Sequence, residues 1–277
     1  MSGRPRRGAV YFGGMPSPHL LFLGTGTAFN DDGRLSAGLL VDRGAHASFL
    51  VDVGPTVLVG LARAGRDPAA IDRLFVTHLH GDHTAGWPFL LLHLVFRGRR
   101  TEPFHVHGPP GTRETLERLV RSCYREVDER RAFDIVYDEI EVAEFTDHDG
   151  GPGVRFGGVP VDHHPTSLAY RFDLAVGPTT TRIAVTGDTR WCAGLEAIAA
   201  GADLLVTECT GIERGAQAHL SLDEIRASRA RLGARRIVLV HLTDAVAERL
   251  ALDPVPGVVA AHDGLILDLP VPGSEGD

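Results

Sequence analysis

"FVTHLHGDHTAG" (Phe75–Gly86) is the stretch on which the reading of this chain turns. Directly behind the apolar run "RLFV" (Arg73–Val76) it sets His78, His80, Asp82 and His83 within six positions. Crowded imidazoles pack poorly and gain nothing as a hydrophobic core. Residues two apart in a strand point the same way, so His78 and His80 can approach one cation together. Gly81 lets the chain turn, and the turn aims Asp82 and His83 at a second position. Imidazole and carboxylate donors in this number suit zinc.

One tetrahedral site takes three or four ligands and a two-metal site about seven, so other segments must contribute. Three fit, each an apolar run that ends on a ligand-type residue. "VPVDHH" ends on His163 and His164, "IAVTGD" on Asp188, and "IVLVH" on His241. A strand-end aspartate such as Asp188 can bridge two cations. His105 and His107 lack a third partner nearby in sequence and read as polar residues at a strand edge.

The rest of the chain bounds the function. Its 277 residues, 43% hydrophobic, make a globular chain, and 33 glycines and 17 prolines imply many turns between short strands. A formal net charge of −8 repels phosphate backbones unless a local basic patch intervenes. Cys123, Cys192 and Cys209 are scattered and odd in number, which suggests reduced thiols in a cytoplasm. Residues 1–19 carry a basic start but no apolar stretch and read as a loose tail, not a signal peptide. The longest apolar run, "WPFLLLHLVF", is too short for a membrane span and reads as a buried helix.

Residues 20–277 read as one domain. "LLFLG" looks like a strand, and "AGLLVD" with "SFLVDVG" looks like a hairpin. A helix is expected from Pro55 to about Ala64, and another from about Thr84 through "FLLLHLVF". "FHVHG" is a strand, and "GTRETLERLVRSCYREV" an amphipathic helix. In the second half, strands at "GVPVD", "AYRFDLAV", "RIAVTGD", "DLLVTE" and "RIVLVH" alternate with helices at "WCAGLEAIAAG", "SLDEIRASRARLG" and "DAVAERLAL", and "GLILDL" closes the chain. Such a pattern in both halves predicts two packed sheets with helices outside. Gly24 and Gly26 are followed by Phe29, not a third glycine, so they mark a tight turn and no dinucleotide fingerprint.

"THLHGDHTAG", a strand-end His, "TGDT" and a late "VHL" together resemble the metallo-β-lactamase fold, an α/β four-layer αβ/βα sandwich of two mixed sheets with helices outside. The resemblance runs from Leu20 to about Leu269. Carried over by position, it implies His78, His80 and His163 on one zinc, Asp82, His83 and His241 on the other, and Asp188 as the bridge. Between His163 and His164, strand phase favours His163, which shares a face with Val159 and Val161. Manganese or iron would satisfy the same donors.

Within that fold, "FLGTGTA", "HGPPGT", "HHPTSLAYRF", "VTECTG" with "AHLSLDE", and "AHDGLILDL" resemble ribonuclease Z and its phosphodiesterase relatives. The resemblance implies a metal-bridging hydroxide as nucleophile, Asp82 taking its proton, and His219, oriented by Glu208, as general acid. It also implies homodimers. Bacterial tRNA-processing members carry a long basic arm. Here "EVDERRAFDIVYDEIEVAEFTDHDGG" is short and acidic, which points away from tRNA towards a small-molecule or nucleotide ester. The same site could serve lactone, carboxylic ester or aryl-sulfate hydrolysis, and a binding protein that holds metal without catalysis is the further alternative.

Overall fold

The computed structural model describes residues 18–44, 46–141, 147–215 and 218–269. Two seven-stranded sheets pack face to face. The first holds β1 (His19–Gly24), β2 (Gly38–Arg43), β3 (His46–Val51), β4 (Ile71–Phe75), β5 (Phe104–Gly108) and β6 (Ile135–Glu139). The second holds β7 (His148–Asp149), β8 (Val154–Pro160), β9 (Leu168–Val176), β10 (Thr179–Val185), β11 (Leu204–Glu208), β12 (Arg236–Val240) and β13 (Val258–Ala260). Strand β14 (Ile266–Asp268) returns to the first sheet beside β1.

Each sheet is half antiparallel and half parallel. β14, β1, β2 and β3 pair antiparallel, then β4, β5 and β6 continue in parallel. The second sheet is antiparallel from β7 to β10 and parallel from β10 to β13. Parallel neighbours need crossovers, and the helices supply them. α1 (Val57–Arg63) precedes β4, α2 (Gly81–Thr84) and α3 (Trp87–Phe96) precede β5, and α4 (Thr112–Cys123) and α5 (Val127–Arg130) precede β6. On the other side α6 (Ala193–Ala199), α7 (Leu222–Ser228) and α8 (Asp244–Leu252) lead into β11, β12 and β13.

Side-chain alternation sorts the apolar residues into three layers. Leu20 and Phe22 of β1 face the other sheet, where Phe49, Phe75, Phe156, Tyr170 and Phe172 meet. Leu21 and Leu23 face outward onto helices through Trp87, Leu90, Leu94 and Leu116. Beneath the second sheet, Leu205 and Leu239 pack on Leu195, Ile225 and Val246. The expected order of helix, sheet, sheet and helix is therefore present.

Two boundaries differ from expectation. His19 opens β1 instead of closing a loose tail: it is fully buried, with an Arg66 Nη2 at 2.8 Å and an Asp42 Oδ2 at 3.6 Å from its Nε2. Residues 1–17 lie outside the described residues. The helix expected from Thr84 is two helices, α2 and α3. Pro88 sits in the first turn of α3, where its missing N–H costs nothing, whereas an unbroken helix would need that N–H bonded to Thr84. Sequence reading also missed β6, β7 and β13. The acidic stretch set against a tRNA arm contributes α5, β6 and β7, and residues 142–146 of it lie outside the described residues.

Candidate metal centre

The candidate residues meet beyond the C-terminal ends of strands from both sheets. His78 and His80 leave β4, and His80 is the N-cap of the single-turn α2 that carries Asp82 and His83. Thr84 Oγ1 donates to His80 O at 2.8 Å and Val53 N to His83 O at 2.8 Å, which fixes that turn. His163, Asp188 and His241 follow β8, β10 and β12 of the other sheet. Gly187, at φ 59°, lies against Thr77: a Cβ there would stand 2.6 Å from Thr77 Oγ1, so glycine alone lets Asp188 reach the first sheet's histidines.

Two donor groups result. In the first, His80 Nδ1 lies 3.1 Å from His78 Nε2 and 3.1 Å from His163 Nε2. In the second, Asp82 Oδ2 is 3.3 Å from His83 Nε2 and 3.4 Å from His241 Nε2. Asp188 touches both: Oδ1 is 3.4 Å from His83, and Oδ2 is 3.4 Å from His241, 3.8 Å from His163 and 3.9 Å from His78. A tetrahedral zinc with bonds of 2.0–2.1 Å needs donors about 3.3–3.4 Å apart, close to these spacings. His83 Nε2 and Asp188 Oδ1 are buried without hydrogen-bond partners, a rare condition unless an ion or water completes them. The donor set thus fits a pair of cations.

The outer contacts agree. Four of the five grouped imidazoles have their other nitrogen tied down. His78 Nδ1 is 3.1 Å from Thr77 Oγ1, His83 Nδ1 is 2.7 Å from Asp52 Oδ2, His163 Nδ1 is 2.9 Å from Ala218 O, and His241 Nδ1 is 2.9 Å from Thr210 Oγ1. Anchoring one nitrogen in this way fixes the tautomer and leaves the bare one facing the cluster. Thr77 N and Oγ1 also donate to Asp52, each at 2.8 Å. Asp52 (φ 60°) and His241 (φ 51°) hold left-handed backbone, uncommon outside glycine and a mark of constrained sites. Sequence reading missed Asp52, Thr77 and Thr210. Asp52 was within reach, since "SFLVD" is another apolar run ending on a carboxylate.

His219, half-buried ahead of the Ser221-capped helix α7, places Nδ1 2.8 Å from Glu208 Oε1 and 3.9 Å from Asp188 Oδ2. Glu208 is fully buried and accepts from Thr189 N at 2.9 Å and Thr210 Oγ1 at 3.1 Å. His164 does not join either group. Its ring centroid lies 5.6 Å from that of His80, and its Nδ1 has no partner. His163 does join, though β8 ends at Pro160 and a turn, not strand phase, delivers the ring.

Burial, reinforced by His83, pushes His78 down to about 2, so it is a neutral, ligand-ready ring at neutral pH. Burial alone would also depress His83, but the Asp188 and Asp52 carboxylates outweigh it and hold that ring well above the usual histidine range. A cation would satisfy the same carboxylates. Burial opposes ionisation of Asp188, yet His241 and His83 keep it well below the usual carboxylate range. Glu208 is pushed up, first by burial and then by Asp188.

Known proteins resemble this chain in sequence and in fold. The family model described as Anti-Pycsar protein Apyc1 matches residues 18–261. A ribonuclease Z of Mycobacterium sp. (strain KMS) is 33% identical over 245 residues, covering 81% of this chain and 84% of its own. The human tRNase Z, short form, superposes with a TM-score of 0.72 at 22% identity, covering 92% of this chain and 99% of its own. The metallo-β-lactamase fold protein YhfI from Bacillus subtilis does so with 0.71 at 21% identity, covering 91% and 99%.

Proposed function

The chain belongs to the Anti-Pycsar protein Apyc1 family and is a ribonuclease Z-like protein of metallo-β-lactamase fold, and on that premise we propose that it is a two-metal phosphodiesterase. One observation carries the reading: a group of three imidazoles stands beside a group of imidazoles and carboxylates, and Asp188 of the second lies within 3.9 Å of His78 and His163 of the first. His78, His80 and His163 would hold one cation, Asp82, His83 and His241 the other, with Asp188 facing both. Zinc suits these donors. When bound, such a pair lowers the pKa of water towards ~7 and neutralises charge on phosphoryl oxygens.

The side chains supply the rest. Asp82 turns Oδ2 to His83 and His241 in the second donor group, which leaves Oδ1 as the oxygen that would accept a hydrogen bond from the attacking water. Glu208 fixes the Nδ1–H of His219, so Nε2 is the atom that delivers a proton to the leaving oxygen. With a net charge of −8, the chain suits a small-molecule or nucleotide diester better than tRNA. Among the described residues no helix is long and apolar enough to cross a membrane.

The test is turnover by the zinc-loaded protein across bis(p-nitrophenyl) phosphate, cyclic nucleotides, lactones, aryl sulfates and tRNA precursors, with metal content measured alongside. Hydrolysis of diesters at two zincs per chain supports the reading. Bound metal without turnover of any ester leaves a binding protein.

A further inference from the structure

On the outer face of the first sheet, α3, α4, α5 and β6 enclose a cavity of about 300 Å³ that the metal chemistry does not use. Its floor is aromatic and apolar: Trp87, Leu91, Val120, Ile135 and Tyr137. Its rim is charged. Arg113, Arg121 and Arg131 stand against Glu117 and Asp128, an excess of one positive charge. Glu117 is shared, with Oε1 2.8 Å from Arg113 Nε and Oε2 3.4 Å from Arg121 Nη1. Asp128 Oδ1 lies 3.6 Å from Arg131 Nε, beyond a hydrogen bond.

Two donors are left over. Trp87 is fully buried, yet its indole N–H has no acceptor, and Arg131 Nε is likewise buried without one. Buried N–H groups are nearly always paired, so unmet donors lining a polar cavity call for an acceptor from outside. The Arg113 guanidinium lies 5.7 Å from the Tyr137 ring centroid, a geometry in which a cation caps an aromatic face. Burial raises the Tyr137 phenol, which stays neutral and able to donate.

We propose that this cavity is a second binding site, for a small aromatic anion: a phosphate monoester carried on an aromatic ring. A cavity of this size lies at the small end of ligand pockets. The ring would lie against the half-buried Tyr137, with the buried Trp87 beneath it. The phosphate's three oxygens can span several guanidinium forks while Glu117 and Asp128 retain theirs, which the two oxygens of a carboxylate do less well. The site stands independently of the metal centre and of the reaction proposed there.

Trp87 and Trp191 are the two tryptophans of the chain, so a Trp191→Phe background makes Trp87 the reporter. Phenyl phosphate titrated into the zinc-loaded protein should give a saturable, one-to-one change in Trp87 fluorescence. Arg113→Gln with Arg121→Gln, both exposed positions that spare the fold, should weaken it about 10-fold or more. Arg131→Gln should do the same, and turnover of bis(p-nitrophenyl) phosphate should stay within about two-fold throughout. The proposal fails if no saturable change appears, if the arginine variants respond like the parent, or if inorganic phosphate binds as tightly as phenyl phosphate. The last result would mark a water-filled crevice with simple anion affinity.

Discussion

Two buried histidines, His78 just beyond the end of β4 and His107 on the neighbouring β5, do opposite work. Both are depressed by burial, His78 to about 2 and His107 to about 4. His107 packs as an aromatic: its ring stacks on Phe75 at 4.7 Å, meets Phe156 edge-on at 4.9 Å, and directs Nδ1 to Asp138 at 3.2 Å. His78 instead aims its free nitrogen at other donors. Burial is common to both. Convergence of donors is what separates a ligand from a core residue, and it depends on chain segments far apart in sequence.

The contrast can be broken at four points, in order of expected effect. Asp188→Ala removes the carboxylate common to both donor groups and should cut diester turnover by at least ~10³-fold. Metal content should fall with it. Unchanged metal content and unchanged turnover would remove Asp188 from the site.

His219→Ala should slow an alkyl diester by on the order of 10²–10⁴-fold but affect bis(p-nitrophenyl) phosphate little, since nitrophenolate leaves without a proton. Equal losses on both substrates would remove the general-acid role.

The third point is His107→Phe, which keeps the stack but cannot titrate. The native ring is held neutral below its ordinary pKa of 6.5, so its contribution is complete above that pH and is lost as pH falls towards 4. The parent should therefore lose up to about 3 kcal/mol more than the variant across that window, read by urea unfolding at matched pH. Parallel curves would mean that burial of His107 carries no proton linkage.

Asp52→Asn gives the smallest effect. Asn tolerates the left-handed backbone at this position, so the change tests the charge of Asp52 and its hydrogen bonds to His83 and Thr77. Weakening of metal affinity by about 10–100-fold is expected, measured by competition with a chelator.

Much of this was legible in the sequence because it is local. The "HLHGDH" run, the apolar strands that end on Asp188 and His241, and the alternation of strands with helices each follow from period and residue type. What escaped has non-local causes. β13 is three residues long and exists by pairing with β12, and β6 by pairing with β5. His107 looked like an edge residue, but β5 lies between β4 and β6 and the ring is buried between Phe75 of its own sheet and Phe156 of the opposing one. His163 and His164 are adjacent in a turn, and only the fold decides which ring faces His80.

The first sheet supplies His78, His80, Asp82 and His83, and the second supplies His163, Asp188 and His241. The cations would thus rivet two slabs whose broad contact is mostly apolar and non-directional, and stripping them should let the slabs shear. Amide exchange at the mouth of the seam, where Leu168 N bonds Thr77 O across the sheets, would then quicken ahead of the aromatic interior.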